Sequence, residues 1–144
     1  MAAVALENLS DIAKELVGRL PVGKSTAVVV ALQGNLGAGK TTFVQALAKE
    51  LGVTGTVQSP TYVLMKSYPI THEHFTTLVH IDAYRLEKPE EFAALKPEMF
   101  LQDSKNVVCI EWPEKVVGVL PAPDVVLKFS SEGVGHHERQ ITIV

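Results

Sequence analysis

Hydrophobic residues follow different periods along this chain. Leu6, Leu9, Ile12, Ala13, Leu16, Val17 and Leu20 recur at the three- and four-residue intervals that gather side chains on one helix face. An amphipathic helix is expected over about residues 8 to 20, capped by Asn8 or Ser10 and ended by Pro21, with its apolar face used for packing. Val22 to Thr26 reads as a short turn. The run Ala27-Val28-Val29-Val30-Ala31-Leu32 has no polar alternation, which is the signature of a parallel strand buried on both faces. Phe43, Leu47 and Leu51 restore helical spacing from Thr42 to Leu51, and Gly52 is placed to cap that helix.

Further on, Val63 to Tyr68 and Thr77 to Asp82 read as strands, with a turn at Pro69 to Glu73; the short connection favours an antiparallel pair. Pro89-Glu90-Glu91-Phe92 opens a short helix, since proline suits a first turn. Asn106-Val107-Val108-Cys109-Ile110-Glu111 is an apolar strand ending in a carboxylate. Asp124 to Phe129 and Arg139 to Val144 are late strands, antiparallel about the loop Ser130 to His137. No internal repeat, low-complexity tract or linker interrupts the 144 residues, so a single domain over 1–144 is expected.

Composition narrows the classes. Hydrophobic residues make up 47% and charged residues 20%, the range of ordinary soluble globular proteins. The net charge is -3 and no long basic stripe is present, which argues against autonomous electrostatic binding to nucleic acid but not against action through a partner. Cys109 is the single cysteine; it lies in an apolar run, is read as a small packing residue, and fits a reducing compartment. The apolar start is too short and lacks the basic region of a signal peptide, and no stretch approaches the roughly 20 apolar residues of a membrane span. The cytoplasm is the default expectation, with no membrane partner.

Between the buried strand and the second helix stands Gly34-Asn35-Leu36-Gly37-Ala38-Gly39-Lys40-Thr41, which satisfies G-x-x-x-x-G-K-[ST]. Glycines at these positions let successive amides turn inward as an anion cradle, reinforced by the N-terminus of the following helix. Lys40 supplies a mobile charge for β- and γ-phosphates, and the Thr41 hydroxyl is suited to Mg²⁺. Such a loop requires an acid at a neighbouring strand end. Leu78-Val79-His80-Ile81-Asp82 and Val107-Val108-Cys109-Ile110-Glu111 both meet that pattern, and spacing alone leaves open which acid serves the metal and which the attacking water. Thr61, in Ser59-Pro60-Thr61-Tyr62, offers a hydroxyl where many P-loop hydrolases carry a γ-phosphate switch. Arg85 is a candidate for transition-state charge or for a salt bridge, and Trp112 for stacking on a base or for packing. His72, His74, His136 and His137 lie in expected loops without cysteine partners and read as surface residues.

Four blocks together resemble the TsaE (YjeE) family, the bacterial ATPase of tRNA threonylcarbamoyladenosine synthesis. They are Gly34 to Thr42, Ser59-Pro60-Thr61-Tyr62, His80-Ile81-Asp82-Ala83-Tyr84-Arg85-Leu86 and Ile110-Glu111-Trp112-Pro113-Glu114, in the family's order. The resemblance implies an α/β P-loop fold: a three-layer sandwich in which helices flank a mixed, partly parallel and partly antiparallel sheet. It implies ATP and Mg²⁺ as cofactors, with Gly37, Ala38, Gly39, Lys40, Thr41 and Thr42 around the phosphates. Thr41 and Glu111 would ligate Mg²⁺, Lys40 and Asp82 would be catalytic, and Thr61 would be the switch. Ser10 would offer a hydroxyl toward the nucleotide, and Trp112 would lie near the base or a partner surface. The implied partners are threonylcarbamoyl transferase proteins of the TsaD and TsaB type, with tRNA reached only through them, and the chain alone would be a slow ATPase. One departure is visible: Ala94 to Phe100 contains Pro97 and no glycine where the family often has a glycine and an acidic turn.

Two other readings follow from a P-loop. A small-molecule kinase would need an arginine-bearing lid, but only Arg19, Arg85 and Arg139 exist. A GTP switch would carry Asn-Lys-x-Asp, which does not occur.

Overall fold

The computed structural model describes residues 2–5, 8–34, 39–53, 65–130 and 138–143. In chain order the elements are β1 (Ala2–Ala5), α1 (Leu9–Arg19), β2 (Val28–Gln33), α2 (Lys40–Glu50), β3 (Met65–Pro69), β4 (Thr77–Asp82), α3 (Glu98–Leu101), β5 (Asn106–Glu111), β6 (Val125–Ser130) and β7 (Glu138–Ile143). Short 3₁₀ turns at Pro89–Leu95 and Pro113–Val116 follow β4 and β5.

The strands form one sheet in the order β1-β7-β6-β2-β5-β4-β3. Its centre is parallel: β2 lies between β5 and β6, and β4 pairs with the other side of β5. The edges are antiparallel, with β3 on β4 at one side and β7 and β1 beyond β6 at the other. The sheet is mixed, as expected. The apolar run of β2 is central because it can be covered on both faces, and Val28 to Leu32 are all buried.

Alternation along the strands sorts the core into two layers. Val28, Val30, Leu32, Leu78, Val107 and Cys109 meet Leu9, Ala13 and Leu16 of α1 and Phe43, Val44 and Leu47 of α2. Val29, Ala31, Val79, Ile81, Val108 and Ile110 meet Phe92, Phe100 and Val116 from α3 and the two 3₁₀ turns. The result is helix, sheet, helix. Among the described residues no helix is long and apolar enough to cross a membrane.

Several boundaries differ from the sequence expectation for local reasons. Asn8 holds the N-cap position of α1 but its side chain makes no capping bond, and Ser10 lies inside the helix. α2 begins at Lys40 rather than Thr42, because Gly39 takes the left-handed turn (φ 96°) that starts the helix. The strand β1 was not anticipated; its pairing with β7 supplies the order that its own four residues lack. Pro97 stands at the N-cap of α3, after Lys96 turns the chain with a positive φ of 52°. Val63 and Leu64, expected in the strand that begins at Met65, and the loop over residues 131–137 lie outside the described residues.

Gly52 closes α2 with φ 86°, and a Cβ added there would come within 2.9 Å of Thr71 Cβ. The neighbouring Leu51 carbonyl accepts the Thr71 N–H at 2.8 Å, so this turn is clamped to the β3–β4 connection. Gly52→Ala is expected to cost about 1 to 2 kcal/mol, the scale of one left-handed L-residue. Urea unfolding should show a lower midpoint with unchanged slope; an unchanged midpoint would contradict the clamp.

Candidate active site

Because β2, β5 and β4 run parallel, their C-terminal ends reach the same edge of the sheet. The register sets Glu111 opposite both Leu32 and Asp82. Side chains alternate, so Leu78, His80 and Asp82 of β4 share a face with Val107, Cys109 and Glu111 of β5. That face is the one covered by α1 and α2. The two strand-end acids therefore emerge on the side where α2 begins with Lys40 and Thr41.

Glu111 is the hub. It is 3% exposed, unusual for a carboxylate, and it is surrounded by donors. Thr41 Oγ1 donates to it at 3.0 Å from Oε1 and 2.9 Å from Oε2. His80, fully buried, places Nε2 2.6 Å from Oε2. Since a carboxylate oxygen only accepts, Nε2–H is the donor. Among the described residues His80 Nδ1 has no hydrogen-bond partner.

Lys40 is 4% exposed. Its Nζ donates to the Gly34 carbonyl at 2.5 Å and lies 3.5 Å from the centroid of the Trp112 ring. Burial pulls the Lys40 ammonium below its ordinary range, and the nearby carboxylates of Glu111, Glu114 and Asp82 oppose that pull. Trp112 has a positive φ of 61°, rare for a bulky residue, and its N–H donates to the Leu32 carbonyl at 3.3 Å. That turn directs the indole toward Lys40, with the Tyr84 ring 5.0 Å away on a tilted contact.

Asp82 has a different environment. Its Oδ1 accepts the Tyr84 N–H at 3.0 Å, and the residue is half-buried. Burial pushes its carboxyl above the usual range; the Tyr84 N–H and the positive neighbours work against this, and the Glu111 charge adds to it. Asp82 thus has spare acceptor capacity and raised basicity, whereas Glu111 is engaged on both oxygens.

The donor set fits Mg²⁺. A hydroxyl and a carboxylate converge within 3 Å, and both are hard oxygen ligands. Among the described residues no group of three or more His, Cys, Asp and Glu is arranged for a metal. Mg²⁺ is commonly held by one or two carboxylates together with substrate phosphates.

The structure brings together Lys40, Thr41, Glu111 and Trp112, with Gly39 at the head of α2 and Asp82 beside Glu111 in register. Thr42 is exposed in the first turn of α2, and Ser10 is exposed on α1. Gly37, Ala38 and Thr61 lie outside the described residues, as do His136 and His137. Arg85 is exposed and forms no ion pair among the described residues. His74 is exposed, while His72 is half-buried against Phe75, with ring centroids 5.1 Å apart. Cys109 is fully buried, and burial pushes its thiol far up. His80 and Glu114 were not singled out from sequence. The signal for His80 was available: a polar residue two positions before Asp82 occupies a core-facing site in an otherwise apolar strand.

Comparison with known proteins identifies the family. The profile of the family described as threonylcarbamoyl adenosine biosynthesis protein TsaE matches residues 4–141. A protein of Haemophilus influenzae, named tRNA threonylcarbamoyladenosine biosynthesis protein TsaE, is 41% identical over 72% of this chain and 63% of its own. The like-named protein of Treponema pallidum is 38% identical over 89% of this chain and 87% of its own. The chain spans somewhat less than two thirds of the length of several relatives, 63%, 62% and 65% for those of Haemophilus, Synechocystis and Nostoc. The crystal structure of YdiB from Bacillus subtilis superposes with a TM-score of 0.69 at 26% identity, covering 99% of this chain and 82% of that one. With the family match running over residues 4–141, the chain belongs to the TsaE family.

Proposed function

We propose that this chain is a Mg²⁺-dependent, ATP-binding and ATP-hydrolysing subunit needed to form N6-threonylcarbamoyladenosine at position 37 of tRNAs that read ANN codons. It works with threonylcarbamoyl transferase proteins of the TsaD and TsaB type, meets tRNA only through them, and is slow alone. The observation that carries this reading is the Thr41–Glu111 hydrogen-bonded pair at the head of α2, next to Lys40, whose ammonium lies against the Trp112 ring. Family membership supports it over transfer of phosphate to a metabolite. The cytoplasm is the proposed compartment.

In the proposed cycle Lys40 exchanges the Gly34 carbonyl and the Trp112 face for β- and γ-phosphate oxygens. Thr41 and Glu111 would hold the metal, which would supply neutralising charge for the phosphates. Asp82 accepts a hydrogen bond from water and aims it in line at the γ-phosphorus. The water oxygen forms the new bond to the γ-phosphorus, its proton passes to Asp82 and from there to the phosphate product, the bond to the β-phosphate oxygen breaks, and ADP and inorganic phosphate leave. Thr61 is the proposed γ-phosphate sensor that changes partner affinity, and Ser10 the proposed hydroxyl toward the nucleotide.

Lys40→Ala should lower hydrolysis in the reconstituted complex by at least about 100-fold, the scale of removing one preorganised charge stabiliser. Nucleotide affinity should fall as well; wild-type turnover from this variant would falsify the assignment. Asp82 yields a paired test. Its folded carboxyl lies above the ordinary value, so folding favours the protonated form. That stabilisation is complete below the unfolded carboxylate range, about 3.9, and is lost as pH rises through the folded value. At neutral pH the ionised group is held at a cost. Asp82→Asn should therefore melt no lower than wild type at pH 7.5, with any gain shrinking toward pH 4, while hydrolysis drops by roughly 100-fold or more. A melting temperature several degrees below wild type at pH 7.5 would overturn this view of Asp82.

A further inference from the structure

The buried His80 has no part in the cycle just described. Packing does not explain it. It stands between Leu78 and Asp82 on the face of β4 turned toward α2, beside Cys109 of β5 in register. A leucine would fill such a position without two ring nitrogens, one of which has no partner among the described residues. What the imidazole supplies is one contact: Nε2 to Glu111 Oε2 at 2.6 Å, reached on the diagonal between adjacent parallel strands. Thr41 has a single hydroxyl proton to share between the two Glu111 oxygens. His80 is the donor that distinguishes them. Oε2 meets both His80 and Thr41, whereas Oε1 meets Thr41 alone.

We propose that His80 is a positioning residue for the metal pair. Its Nε2–H locks the Glu111 carboxylate in the rotamer that, together with Thr41, receives the divalent cation. The inference rests on the reading of Thr41 and Glu111 as the metal-holding pair. With a cation held by Thr41 and Glu111, His80 would remain the tether that keeps Glu111 from swinging, as hydrogen-bond partners behind metal ligands do elsewhere.

The test uses the full chain with Mn²⁺ and a non-hydrolysable ATP analogue. Bound Mn²⁺ is read by electron paramagnetic resonance, analogue affinity is read separately in EDTA, and folding by thermal melts. His80→Leu should weaken Mn²⁺ binding about tenfold or more, the range seen for loss of such partners. Analogue affinity without metal should stay within about twofold of wild type. His80→Gln, whose amide nitrogen can occupy the Nε2 position, should recover most of the Mn²⁺ affinity. Unchanged Mn²⁺ affinity in a folded His80→Leu, or a folded His80→Gln no better than it, overturns the proposal. If His80→Leu does not fold, His80→Gln is compared with His80→Asn, whose shorter amide mimics Nδ1 and does not reach Glu111. Gln tighter than Asn for Mn²⁺ supports the role, and equal affinities overturn it. A wild-type chain that binds no Mn²⁺ with the analogue would instead overturn the parent reading of the metal pair.

Discussion

A carboxylate buried at the end of β5 is the constraint around which the rest is arranged. Taking an ionised group out of water costs several kcal/mol even after relaxation, so Glu111 can be 3% exposed only where donors surround it. Those donors come from different elements. Thr41 arrives on the first turn of α2, and His80 comes from β4. The parallel pairing of β5 with β2 and β4 is what brings both within reach. An antiparallel partner would send its end to the far edge of the sheet, and a register slip of one residue would turn Glu111 toward the opposite layer.

Asp82 and Glu111 show how two acids in register acquire different characters. Glu111 accepts from Thr41 and His80. At Asp82 burial and the neighbouring Glu111 charge raise the carboxyl, and the Tyr84 N–H, His80 and Lys40 only partly offset that. One environment suits a fixed acceptor and the other a base, a division of labour that paired carboxylates reach through surroundings rather than residue type. Lys40 and Trp112 add a further asymmetry. The indole is aimed by a left-handed backbone that costs of the order of 1 to 3 kcal/mol in a bulky residue. The packing around β2 and β5 sustains that strain at the point where the chain leaves the sheet.

Much of this was legible in the residues. The unbroken apolar run of β2, the helical spacing of α1 and the glycine-lysine-threonine block each carry their own local cause: burial on both faces, one apolar stripe, and backbone freedom where a helix begins. Apolar strands ending in Asp82 and Glu111 identified the acids as candidates. Other features had no local cause. The four residues of β1 gain their conformation from β7, and the first turn of α2 extends back to Lys40 because Gly39 adopts a left-handed conformation. Trp112 could be read as stacking or packing, and its proximity to Lys40 depends on a single dihedral that composition does not reveal.

The chain's own order of residues determined which chemical groups are present and which elements carry them, because periodicity and turn chemistry act over a few neighbours. Tertiary structure decided which groups meet. Strand order and register set Glu111 beside His80 and Asp82, and the docking of α2 brought in Thr41. These are distances between residues 31 and 70 positions apart, for His80 and Thr41 respectively, and only the hydrogen-bonded ladder of the sheet and the packing of α2 upon it make them short.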